Sequence, residues 1–143
     1  MAEYTFIEPQ LVEMGRNILL NDSIPCNKGY IIHRNGSGIF TFRGIVNNAC
    51  GCFARYQVTF NANISVPEGG TPGEISIGLA QNGEALQSSL AIVTPADTGE
   101  FFNVTSTAFV TVPRGCCYTI AVENTSDQTI DVANSNLVVT RTA

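Results

Sequence analysis

Across residues 53–66 apolar and polar side chains alternate for six repeats. Tyr56, Val58, Phe60, Ala62, Ile64 and Val66 are apolar, while Arg55, Gln57, Thr59, Asn61, Asn63 and Ser65 are polar. A period of two puts successive side chains on opposite faces of a strand, so this stretch predicts one dry face and one wet or partner-facing one. At roughly 3.3 Å per residue such a strand is more than ~30 Å long and crosses an entire small domain. The other elements must be arranged so that they cover its apolar face.

A second long strand repeats the pattern. Phe102, Val104, Ser106, Ala108, Val110 and Val112 form one face, and Phe101, Asn103, Thr105, Thr107, Phe109 and Thr111 the other. Shorter strands are expected at residues 11–20, 30–34, 39–46, 75–79, 86–93 and 118–122, with a closing strand from Ile130 to Arg141. Asn21-Asp22-Ser23-Ile24-Pro25 reads as a break, and residues 47–52 as the connection into the first long strand. Asn35-Gly36 and Asn82-Gly83 supply positive φ cheaply and predict hairpin turns. No segment shows a convincing helical period. Eight to ten strands at this spacing predict an all-β sandwich or barrel. Two strands of about 12 residues favour a jelly roll over an immunoglobulin-type sandwich, whose Cys/Trp pattern is absent. Residues 1–9 read as an irregular N-terminal arm, and 10–143 as one jelly-roll domain.

Composition narrows the function. At 143 residues the chain can bury a single sizeable core without metals or disulfides. Only 13% of residues are charged, and Asn, Thr, Ser and Gly carry the polar load. With a net charge of −5 and its six arginines scattered, the chain lacks the clustered cations that neutralise phosphates, so no nucleic-acid partner is expected. The N-terminus carries acid where a signal peptide carries base, and no apolar run is long enough to cross a bilayer. The expectation is a protein made in a bacterial cytoplasm, with no membrane partner. So low a charge density suits a flank covered in an assembly.

Candidates for chemistry are few. Cys26, Cys50, Cys52, Cys116 and Cys117 are the five cysteines. In a jelly roll, Cys50 and Cys52 before the first long strand lie at the same end as Cys116 and Cys117 after the second, a candidate thiol cluster. The spacing is not the Cys-x-x-Cys knuckle of a strong zinc site. Inert reduced thiols, a disulfide in an oxidising compartment and a metal site all remain open, with reduced thiols the leading reading. His33, the lone histidine, has no marked nucleophile and reads as a hydrogen-bonding strand residue. Ser37 sits in a turn, not in a nucleophile elbow. Glu68, Glu74, Asp97 and Glu100 are loop carboxylates of the ordinary solvated kind. Asp127 and Asp131 bracket a turn that is a weak candidate for calcium. The Asn-x-Ser/Thr triplets at Asn21, Asn35, Asn63, Asn103 and Asn124 carry no glycosylation signal without secretion. No catalytic residue, metal site or cofactor is expected.

The order of these elements resembles the tumour necrosis factor-like superfamily, which includes the globular heads of complement-type and spore-surface collagen-like proteins. The resemblance rests on Gly36-Ser37-Gly38-Ile39-Phe40-Thr41-Phe42, Ala54-Arg55-Tyr56-Gln57-Val58-Thr59-Phe60 and the Asn82-Gly83 hairpin. It continues through Val112-Pro113-Arg114-Gly115, Tyr118-Thr119-Ile120-Ala121-Val122-Glu123-Asn124 and Asn136-Leu137-Val138-Val139-Thr140-Arg141. It covers roughly residues 10–143 and extends to structural proteins of phages and prophages in Gram-positive bacteria. It implies a ten-strand jelly roll and a tight homotrimer, with the two long strands adjacent in the sheet facing the three-fold axis. The collagen-like stalk is absent, and no calcium-ligand set carries over.

On that frame Phe101, Thr105 and Phe109, with Arg55 and Gln57, form the expected trimer interface, because exposed aromatic rings in a row are costly to leave wet. The expected function is a non-enzymatic structural protein of a virion, of the capsid-decoration or fibre-head type. Its partners would be itself and other particle proteins or a surface glycan. The alternative is a ligand-binding trimer, either a glycan adhesin or a trap for a small signalling molecule in its inter-subunit clefts.

Overall fold

A computed structural model describes residues 2–24, 29–44 and 52–142. In chain order its strands are β1 (Ala2–Phe6), β2 (Gln10–Val12), β3 (Asn21–Ile24), β4 (Ile31–His33), β5 (Phe40–Arg43) and β6 (Phe53–Ser65). Then follow β7 (Ile75–Gln81), β8 (Glu84–Ala85), β9 (Ala91–Val93), β10 (Phe102–Pro113), β11 (Cys117–Asn124) and β12 (Ile130–Arg141). One sheet runs β10-β6-β12-β1-β3, with β2 also on β12; the other runs β4-β5-β11-β7-β8, with β9 on β7. Every pairing is antiparallel. The result is an all-β sandwich of two six-stranded antiparallel sheets, of jelly-roll type.

The two long alternating stretches are neighbours. β10 and β6 pair over their full length, from Phe102 opposite Ile64 to Pro113 opposite Phe53. Tyr56, Val58, Phe60, Ala62 and Ile64 face the core and are almost wholly buried, as are Val104, Val110 and Val112 across from them. The facing sheet contributes Phe40, Phe42, Ile75, Ile77, Leu79, Ile120 and Val122. Tyr56 also ties the sheets together: its hydroxyl donates to the Arg43 carbonyl at 2.5 Å, and its ring packs 4.7 Å from that of Phe42.

Several expectations need correction. The ten-strand count becomes twelve among the described residues. Residues 1–9 are not an irregular arm, because Ala2–Phe6 forms a strand between β12 and β3. Ala2 and Tyr4 face the core while Glu3 and Thr5 face away, a period-two signal that is real but only five residues long. Residues 11–20 are not one strand. Gly15, at φ +76°, turns the chain out of β2, after which Asn17 bridges Glu123 on the other sheet and the Ile18 amide donates to the Val122 carbonyl. The segment thus crosses between the sheets.

The expected break at 21–25 is β3, up to Ile24. Its polar residues are held by side chains: the Asp22 amide donates to Asn35 Oδ1 and the Ser23 hydroxyl to Glu3.

The two Asn-Gly turns differ. Asn82 and Gly83, both at positive φ, close a two-residue turn between Gln81 and Glu84. At Asn35-Gly36 only Gly36 is at positive φ, and the connection from His33 to Phe40 is six residues long. The expected strand at 86–93 is reduced to β9, preceded by a 3-10 turn at Gln87–Ser89. There the Ser89 hydroxyl accepts from the Leu79 amide and donates to the Leu86 carbonyl, standing in for a strand partner.

A candidate self-association face

The outer face of β6 and β10 is a lattice of uncharged polar side chains. Asn103 Nδ2 donates to Asn61 Oδ1 (2.7 Å) and to Asn63 Oδ1 (3.1 Å), and the Thr105 hydroxyl also donates to Asn61 Oδ1 (3.3 Å). Asn63 Nδ2 donates to Asn134 Oδ1 on β12 (3.1 Å), and Thr59 and Thr107 share a hydrogen bond of 3.0 Å. Cross-strand pairs of this kind come from register: Thr105 lies opposite Asn61, and Thr107 opposite Thr59. Asn134 reaches the lattice because a bulge in β12 puts it at φ +54°, a conformation asparagine tolerates.

Phe109 stands in the same face, opposite Gln57, with 59% of its surface in solvent. Phe101 lies just before β10, in the preceding loop, and is 44% exposed; Phe102 at the strand's first position is 37% exposed. Arg55 is the one charged residue projecting from this face of β6 and β10. Its Nε donates to the Thr111 hydroxyl at 3.3 Å, and its guanidinium lies 4.7 Å from the Phe53 ring centroid. Arg55, Gln57, Thr105 and Phe109 therefore share one exposed surface, with Phe101 set apart beyond the end of β10.

The cysteines divide. Cys26 and Cys50 lie outside the described residues. Cys52, Cys116 and Cys117 are exposed and unpaired. The Arg114 amide donates to the Cys52 carbonyl, and the Cys116 amide closes the 113–116 turn on Pro113, so Cys52 and Cys116 belong to the same end of the sandwich. Among the described residues, no three His, Cys, Asp or Glu side chains converge as metal ligands.

His33 closes one edge of the sandwich. Its Nδ1 lies 2.6 Å from Asp22 Oδ1 and its Nε2 2.8 Å from the Ser37 carbonyl, while the ring stacks on Phe40 at 4.1 Å. Both nitrogens are occupied by acceptors, and β3 and β4, the edge strands of the two sheets, are joined through this contact. Each ring nitrogen therefore has a partner within this edge contact.

Two carboxylates are perturbed. Burial raises the Glu123 carboxyl above its ordinary value, and burial also raises Asp131, partly countered by a hydrogen bond from the Val132 backbone. Glu123 is not among the sequence candidates, and Asp131 is one only with Asp127, as half of the pair bracketing the candidate calcium turn. Glu123 is set by its bridge to Asn17, which joins residues far apart in the chain.

No family model matches the chain, and no characterised protein matches it by sequence. Among solved structures, it is similar to the globular domain of the zebrafish complement 1qA protein. That similarity has a TM-score of 0.60 at 13% identity and covers 96% of both chains. A lower-scoring similarity is to the C-terminal domain of EclA, described as a sugar-binding protein. There the TM-score is 0.36 at 12% identity, over 94% of this chain and 80% of that one. The fold is therefore shared with a complement globular head along nearly the whole length of each.

Proposed function

We propose that this chain is a non-enzymatic structural protein that works as a homotrimer, with the outer face of β6 and β10 pressed against identical copies. The observation that carries this reading is Phe109, 59% exposed amid an uncharged Asn/Thr lattice. Carboxamides and hydroxyls both donate and accept, so such a surface is complementary to itself. Its near-absence of charge means that copies gathered about an axis do not repel one another. The number three follows from the resemblance to the tumour necrosis factor-like superfamily, as does the assignment to a phage or prophage particle. In that setting the stiff sandwich is a mount, and its end loops contact other particle proteins or a surface glycan.

Phe109→Asp tests the reading. A phenylalanine presents roughly 200 Å², so about 120 Å² stays wet in the isolated subunit, worth about 3 kcal/mol per copy when covered. Sedimentation velocity should show the variant falling to protomers at micromolar concentration while its far-UV circular dichroism is unchanged, since Phe109 makes no core contact. An unaltered sedimentation coefficient that matches the parent's assembly would overturn it.

A further inference from the structure

On the opposite sheet, away from the lattice, Glu123 borders a pocket of about 140 Å³. Its floor is apolar and small: Ala121 on β11 lies opposite Ala80 on β7, and both are almost completely buried. Ile39 forms a side wall and is 52% exposed, and the Asn82-Gly83 turn with Thr119 closes the far end. Gly78 lies directly opposite Glu123, and the Leu90 side chain lies over it, 2.6 Å from where a Cβ would sit. Burial holds this carboxyl above its ordinary value, and among the described residues no hydrogen bond or ion pair meets it. Arg16 lines the adjoining groove, which shares Asn17 and Ile39 with this pocket, and makes no ion pair with Glu123.

A carboxylate at the rim of a small apolar-floored pocket, with no protein cation paired to it, offers an acceptor to a ligand of opposite charge. We propose that this pocket binds a primary ammonium on a short aliphatic stem, the ammonium on the Glu123 carboxylate and the stem on Ala80, Ala121 and Ile39. The carboxylate supplies the ion-pair acceptor, and Asn17, which lines the same pocket, carries a carboxamide oxygen that can accept as a neutral one. The space is too small for a drug-sized molecule, whose pockets run to about 300–1,000 Å³. It accommodates an amine of a few heavy atoms, whether free or at the end of a lysine side chain.

Titration with n-butylammonium chloride, followed by amide chemical shifts, tests the site. Saturable shifts are expected at Ala80, Gly83 and residues 119–123, with a dissociation constant on the order of millimolar for so few heavy atoms. Glu123→Gln should weaken binding at least tenfold. n-Butanol, with the same stem and no charge, and sodium chloride at matched ionic strength should leave these amides unshifted. Repeating the titration with N-acetyl-lysine methylamide separates the sources: shifts with both ligands admit a protein lysine, and shifts with butylammonium alone restrict the site to free amines. Equal shifts with butanol, retained binding in Glu123→Gln, or no saturable shift in the parent would overturn the proposal. The butanol comparison uses the parent chain, so it decides the matter even if the variant does not fold.

Discussion

Tyr56→Phe isolates the contact that joins the sheets at the end of β6. The Tyr56 side chain is fully buried, and its hydroxyl donates to the Arg43 carbonyl at 2.5 Å, with the Tyr30 carbonyl at 3.4 Å. Removing one oxygen leaves the ring packed against Phe42, so neither a cavity nor a change of shape accompanies the loss. What remains is a broken inter-sheet hydrogen bond and a carbonyl deprived of a donor, a cost of about 1–2 kcal/mol. For a chain of this size that lowers Tm by about 3–8 °C. Urea denaturation at fixed protomer concentration should move the midpoint to lower urea without changing the slope, since the surface exposed on unfolding is the same. A midpoint within error of the parent's would show that the hydroxyl does not clamp the sheets and would refute the reasoning.

Two further perturbations follow from the same geometry. Burial raises the Glu123 carboxyl, so the folded state holds a proton that the unfolded state has already released; stability is greatest below the ordinary glutamate value and is lost as pH rises through the folded one. Glu123→Gln should therefore melt higher than the parent at pH 7, with the gain shrinking as pH falls toward the ordinary glutamate value; a gain independent of pH would point to packing instead. Cys52, Cys116 and Cys117 are exposed and unpaired, so intact-mass analysis under native reducing conditions should show them alkylated within minutes by iodoacetamide at pH 8. Protection of any of them until the chain is denatured would contradict their exposed placement.

The long strands were legible because alternation over a dozen residues admits one face assignment, and a slip by one position would put Tyr56, Phe60 and Ile64 in water. Ala2–Phe6 carries the same alternation over too few residues to be separated from an irregular arm. β3 was illegible for another reason. Asn21, Asp22 and Ser23 have poor strand propensity and are held by Asn35 and Glu3, partners a local reading cannot see. Residues 11–20 look like one strand by composition, and only the positive φ at Gly15 and the bridge from Asn17 to Glu123 reveal the crossing.

The candidate face was partly visible, since Thr105, Phe109, Arg55 and Gln57 follow from strand parity alone. The hydrogen-bonded lattice of Asn61, Asn63, Asn103 and Asn134 was not, because it depends on the register between β10, β6 and β12 and on a bulge. Glu123 needed the tertiary fold for the same reason. Its neighbours Asn17, Ile39 and Ala80 come from three separate parts of the chain.

Self-association through the β6–β10 face is the central claim, and native mass spectrometry of the unaltered chain at micromolar concentration tests it most directly. A dominant species of three times the 15.3 kDa protomer mass is expected. A spectrum dominated by the single protomer would contradict it.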